Sequence, residues 1–310
     1  MMDAEICRNF IYLMTKFPDK LINGQYKIED DQHFKQYCNN DSCDTDLEKV
    51  NAGCLYLLDA FYKNSDLFQS VANSNINIVE YIIIWLSYML TLKENTSSSM
   101  SHLQHFYTTY INGGDKYKNS ITGVTEYTNY KDLIDKTNMM KMDIKDISKF
   151  YDAFKTLCEM YTAFDESTSN CTKCSEKANQ FVEKYKELNG DSSNTEGTSY
   201  NKILSTLSTD YNNLKNKCSN IASFPEINTS TNTAKITKQT SEQTVQNSAQ
   251  TSEVALLSSS IGNKLIPVLS IFGAIAFFLG IGYKYSLFKS RKRSRKQHLR
   301  EKLKNKEENE

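Results

Sequence analysis

The residues with the clearest capacity for chemistry are eight cysteines: Cys7, Cys38, Cys43, Cys54, Cys158, Cys171, Cys174 and Cys218. An even number of cysteines suits a disulfide framework, which forms and persists in an oxidising compartment. All eight are disulfide candidates, and few or no free thiols are expected. Eight cysteines allow on the order of a hundred pairings, and their spacing does not choose among them. Cys171 and Cys174 form a single CxxC, to which Cys38 and Cys43 could add a second ligand pair for zinc. One CxxC is a weak metal signal, so no metal site is expected. A thioredoxin-like redox role needs a strand–helix–strand setting that the neighbouring residues do not supply.

Other reactive groups are sparse. His102 and His105, in SHLQHF, stand one helical turn apart and could share a metal, but an exposed turn of helix explains them as well. No GxxxxGK[ST], GxGxxG or HExxH pattern occurs, so the phosphate-cradling and metalloprotease readings lack support. The carboxylates are spread as on solvated helix faces. We expect no enzyme: no catalytic residues, no cofactor and no small-molecule substrate.

The elements that carry these cysteines read as helices. Gly (11) and Pro (3) are scarce, which argues against a sandwich or barrel with its many tight turns. In residues 3–17, Ile6, Phe10, Leu13, Met14 and Phe17 recur at spacings of three and four, with Asp3 as N-cap and Pro18 as stop. Residues 46–63 repeat the pattern through Leu47, Val50, Cys54, Leu57, Leu58 and Phe61. Asp143 predicts the start of one helix running through Ile147, Phe150, Phe154, Leu157, Tyr161 and Phe164. Residues 175–189 place Ala178, Phe181, Val182, Tyr185 and Leu188 on one face, and Gly190 ends them. Residues 199–218 carry a narrow seam of Tyr200, Leu204, Leu207, Tyr211, Leu214 and Cys218. YIIIWLSYML, at 81–90, is apolar nearly all round but too short to cross a bilayer, so it predicts a buried central helix around Trp85.

The C-terminal part has a different character. Residues 223–260 are rich in Ser, Thr, Asn and Gln and nearly free of aromatic side chains, which predicts a disordered stalk. From Leu265 to Tyr283 the chain carries no charge, long enough for a membrane span within 261–288. Lys289, Arg291, Lys292, Arg293, Arg295 and Lys296 follow in the tail 289–310. Net charge is zero overall, with −7 before Lys284 and +7 from there on. Basic residues beside a span mark the cytoplasmic side and can contact anionic lipid headgroups. Nucleic-acid binding by RKRSRK is therefore not expected. The start, MMDAEICRNFIYLMTKF, does not read as a cleaved signal. The predicted organisation is an all-α ectodomain at 1–222, held away from the cytoplasm by a stalk and a single C-terminal transmembrane helix. Asn-x-Ser/Thr acceptors stand at Asn40, Asn95, Asn170 and Asn228. The loops at 93–99, 111–126 and 189–198 are polar and suited to recognition.

Several blocks together resemble the PIR (Plasmodium interspersed repeat) variant proteins of malaria parasites, most closely those of rodent parasites. They are the short acidic start ending in Cys7, VEYIIIWLSYML (79–90), FYDAFKTLCEMY (150–161), CTKCSEKANQFVEKYKELN (171–189) and YNKILSTLSTDYNNLKNKC (200–218). The most specific is IPVLSIFGAIAFFLGIGYKYSLF with the RKRSRKQHLREKLKNK that follows it, within 266–306. The resemblance implies a helical ectodomain, a single span, a short basic tail and export toward the infected red cell. It implies a variant surface antigen that meets a host-cell receptor or antibody, or else a dedicated adhesin or an internal trafficking protein. The family has no established enzymatic residues to carry over.

Overall fold

The computed structural model describes residues 2–28, 32–38, 42–94, 100–164, 167–218 and 224–227. Eleven α-helices lie among them in the order α1 (Ala4–Lys16), α2 (Gln32–Lys35), α3 (Asp46–Tyr62), α4 (Ser65–Ser70), α5 (Ile78–Thr91), α6 (His102–Phe106), α7 (Tyr130–Lys136), α8 (Ile144–Ser148), α9 (Tyr151–Ala163), α10 (Thr172–Asn189) and α11 (Ser199–Lys215). A π-helical turn, Tyr107–Ile111, continues α6. No strand occurs among the described residues beyond isolated bridges such as Ile22 with Gln25.

Local rules place the helix ends. Asp3 caps α1 by accepting the Ile6 N–H at 2.9 Å, and the helix stops at Lys16, ahead of Pro18. Thr45 and Glu48 form a reciprocal capping box at the start of α3, satisfying two orphan N–H groups. Gly190 follows the last residue of α10.

The centre of the domain is α5, in which Ile78 through Ser87 are all buried. α3 and α8 pack on it, α9 packs on α1 and α10, and α11 joins α10 and α9. Trp85 is fully buried and lies edge-on to Phe17, with ring centroids 6.0 Å apart. Gly53 permits that arrangement. A Cβ at position 53 would sit 2.5 Å from the Trp85 ring, closer than carbon atoms can approach, and a tight 3.3 Å from Phe17.

Three sequence expectations change. The helix expected from Asp143 to Phe164 is two, α8 and α9, separated at Lys149–Phe150. There the Phe150 N–H turns to Ile147 at i−3, while the Phe150 ring packs on Tyr200 at 4.6 Å. A heptad-like pattern survives such a break because the buried side chains keep their face. The seam helix ends at Lys215 rather than Cys218, and a turn carries the chain to Cys218. The boundary at 222 also moves. Phe224 is buried against Tyr211, and the Tyr211 hydroxyl donates to the Pro225 carbonyl at 2.8 Å, so Phe224 and Pro225, assigned to the stalk from the sequence, pack on the helical core.

Among the described residues no helix is long and apolar enough to cross a membrane. The remaining stalk, the span Leu265–Tyr283 and the basic tail lie outside the described residues.

Candidate functional site

The cysteines sit where helices meet. Cys7 on α1 is bonded to Cys158 on α9, 151 positions away. Cys38 is bonded to Cys43 across a short loop before α3, and Cys171 to Cys218 joins the start of α10 to the end of α11. Cys54 and Cys174 remain free thiols. Six of the eight candidate cysteines are thus paired. Cys54 faces inward from the middle of α3, and burial pushes its thiol up to about 12. Cys174 is also fully buried, and burial raises its thiol against the N–H groups of Cys174 and Ser175 in the first turn of α10. Both are poor nucleophiles in that state. Because Cys38 and Cys43 are bonded to each other, they offer no second ligand pair to Cys171 and Cys174.

The histidines are divided in their tasks. His102 Nδ1 lies 2.9 Å from the Leu90 carbonyl, a group that the last turn of α5 leaves without a helical partner. His105 is exposed one turn further on.

Sequence reasoning missed a buried polar network. Asp210, on α11, is 4% exposed and accepts the Met2 N–H at 3.1 Å and the Tyr81 hydroxyl at 2.8 Å. Burial holds its carboxyl above the ordinary range, and those two donors work the other way. The Tyr161 hydroxyl donates to the Asp210 carbonyl at 2.7 Å. Nearby, Glu80 is 2% exposed and pairs with Lys202 at 2.7 Å and the Thr206 hydroxyl at 3.1 Å. A second knot holds Asp19. Lys155 and the Tyr151 hydroxyl donate to its Oδ2 at 2.5 and 2.9 Å. Burial opposes ionisation there, but these contacts outweigh it and keep the carboxyl below its ordinary value. One signal was available: Glu80 is the lone acid in an apolar run. Asp210 had a weaker one, lying three residues after Leu207 and four before Leu214, on the packed side of α11.

These acids are structural in their chemistry. Each is spent on fixed donors from other helices, with no nucleophile–base pair between them. An open groove of about 570 Å³ is lined by Asp210, by Lys202 and Thr206, which hold Glu80, and by Asn75, Asn77, Asn201 and Asn213. No aliphatic or aromatic side chain lines it, unlike most small-molecule sites.

The loops contrast with this core. Between Asn112 and Glu126 most residues are exposed, but Tyr117 and Tyr127 turn inward. The Tyr117 hydroxyl donates to Asn51 at 2.8 Å, and that of Tyr127 to the Tyr62 carbonyl at 2.9 Å. The Tyr127 ring meets Tyr62 and Phe68 edge-on. The loop is thus pinned from beneath while its outer face stays open. The 189–198 loop is organised by Asn194, whose amide donates to the Asn189 carbonyl at 2.9 Å, and by the ion pair of Asp191 with Lys149 at 2.9 Å. Of the four glycosylation acceptors, only Asn170 lies among the described residues, and it is exposed.

Fold and site together define an all-helical domain fastened by disulfides, with pinned and exposed loops. The chain belongs to the Plasmodium variant antigen protein Cir/Yir/Bir family, whose profile matches residues 7–284. It is similar to a solved Plasmodium PIR protein ectodomain at 29% identity and a TM-score of 0.53, covering 73% of this chain and 97% of that one. The PIR resemblance read from the sequence therefore holds. No curated protein matches the chain.

Proposed function

We propose that this chain is a membrane-anchored variant surface antigen of infected host cells, and a display protein rather than an enzyme. Its helical domain faces away from the cytoplasm, Leu265–Tyr283 anchors it, and Lys289, Arg291, Lys292, Arg293, Arg295 and Lys296 contact lipid headgroups on the cytoplasmic side. Antibodies or a host-cell receptor are its partners, and immune evasion is the outcome of varying what it displays.

The observation that carries this reading is the construction of the 112–126 loop. Lys118, Asn119, Ser120 and Thr122 are exposed, whereas Tyr117 and Tyr127 are buried and hydrogen-bonded. Surface substitutions away from such anchors typically change stability by about 0.5 kcal/mol or less. The outer face can therefore change while the fold is kept, as antigenic variation requires.

The test has two arms. Antibodies raised against the wild-type loop should stain intact infected cells, and replacing Lys118, Ser120 and Thr122 together should abolish their binding without shifting the melting temperature. Staining only after permeabilisation would refute surface display. Loss of the fold in the triple variant would refute the proposed independence of loop and core.

A further inference from the structure

Three cysteines converge where α10 begins. Cys171 is the N-cap residue of α10, Cys174 lies in its first turn, and Cys218 arrives from the turn after α11. Their sulfur atoms all lie within 4.8 Å of one another. Cys171 and Cys218 share a disulfide, and Cys174 is the thiol beside it, donating to the Cys171 carbonyl at 3.1 Å.

A thiol so close to a disulfide needs only a side-chain rotation to reach either sulfur. Backbone geometry favours one of the two products. Residues three apart at the start of an α-helix have Cα atoms about 5 Å apart, inside the range that a disulfide spans without backbone movement. A bond between Cys171 and Cys174 therefore fits the existing helix.

We propose that Cys171, Cys174 and Cys218 form a thiol–disulfide exchange site, and that its outlet is Cys218, which takes up thiol compounds as a mixed disulfide. In the first step the Cys174 sulfur, having lost its proton to solvent, attacks the Cys171 sulfur. A Cys171–Cys174 bond forms, the Cys171–Cys218 bond breaks, and Cys218 leaves as a thiolate that is reprotonated. One disulfide is consumed and one is made, so no oxidant is needed. In the second step the Cys218 thiolate attacks an external disulfide of the glutathione class, forming a mixed disulfide and expelling one thiolate of that compound.

The exchange has a structural consequence. It replaces the only disulfide between α10 and the end of α11 with a linkage local to α10. Cys218 is buried, but its neighbours Asn216 and Lys217 are exposed, so a small backbone shift of the released turn brings the sulfur to solvent. The raised thiol of Cys174 makes the first step slow at neutral pH, which suits a site that responds to lasting redox conditions.

The experiment uses the full chain, purified without reductant and incubated with oxidised glutathione. It is then quenched in acid and mapped by mass spectrometry of non-reduced digests. Cleavage after Lys173 separates Cys171 from Cys174, and a second cleavage after Glu166 separates Cys171 from Cys158, so the linkages of this site are distinguishable. The expected result is a Cys171–Cys174 peptide that rises together with a glutathione adduct on Cys218, and a tenfold or greater loss of that adduct in Cys174→Ser. Cys174→Ala, checked for native helicity, guards against an effect of the buried hydroxyl. In Cys218→Ser the same oxidant should join Cys171 to Cys174. Persistence of Cys171–Cys218 alone in the wild type would overturn the proposal. So would an equal Cys218 adduct in both Cys174 variants, or failure of Cys171 and Cys174 to join in Cys218→Ser.

Discussion

The hydroxyl of Tyr81, on the central helix α5, donates to the carboxylate of Asp210, on α11, at 2.8 Å and across 129 positions of sequence. With Met2 and Tyr161 on the same residue, Asp210 ties the first residues of the domain, α5 and α9 to α11. Removing one donor from a buried carboxylate exposes the cost of keeping it there. Tyr81→Phe keeps the ring stacked on Phe154 at 4.6 Å, so the variant isolates the hydrogen bond. It is expected to lose about 1.5–3 kcal/mol, the usual range for a bond to a charged group. Urea unfolding checks this, and an unchanged midpoint would show that the network does not contribute.

Asp19 and Asp210 should give stability opposite dependence on pH. The Asp19 carboxyl is held below its ordinary 3.8, with burial more than offset by Lys155 and Tyr151. Its contribution is present above the unfolded value and is lost as pH falls through the folded value. The Asp210 carboxyl is raised from 3.8 by burial. Its contribution is therefore full below 3.8 and is lost as pH rises through its folded value. Asp19→Asn is expected to flatten the acid limb of stability against pH, and Asp210→Asn to remove a decline on the other side. Denaturation across about pH 2–7 reads both. Parallel curves for wild type and both variants would contradict the assignment.

The three disulfides should differ in worth. By the chain-entropy relation a link across 151 positions contributes about 5 kcal/mol, and one across 5 positions about 2 kcal/mol. Replacing Cys7 and Cys158 together by Ser is expected to lower the melting temperature far more than replacing Cys38 and Cys43. Equal effects would argue against constraint of the unfolded chain as the main contribution.

Thiol counting should find two thiols per chain, Cys54 and Cys174. Both are fully buried or nearly so, so alkylation should be slow in the native state and complete after denaturation. Rapid labelling without denaturant would place one of them at the surface.

Gly53→Ala tests the close approach of α3 to α5. The added methyl would overlap the Trp85 ring, whose neighbours are themselves packed, so the ring cannot easily retreat. A loss of about 1–3 kcal/mol is expected from such overpacking. A neutral or stabilising result would mean that the helix interior tolerates a wider spacing there.

The local part of this fold is legible in the residues. Helices α1, α3, α10 and α11 follow from apolar spacing near 3.6 residues and from end signals such as Asp3 and Gly190, because those signals act within one or two turns of chain. The burial of α5 follows from an apolar surface with no polar face to turn outward. The cysteines were legible as a set, and CxxC was visible as a pair. Which sulfurs meet was decided only by tertiary structure, because Cys7 reaches Cys158, and Cys218 reaches Cys171, through the packing of α1 on α9 and of α11 on α10. The free state of Cys174, the break at Phe150 and the Asp210 network have the same origin. Each depends on side chains far apart in sequence, and one-dimensional periodicity specifies which face of a helix is buried but not what lies against it.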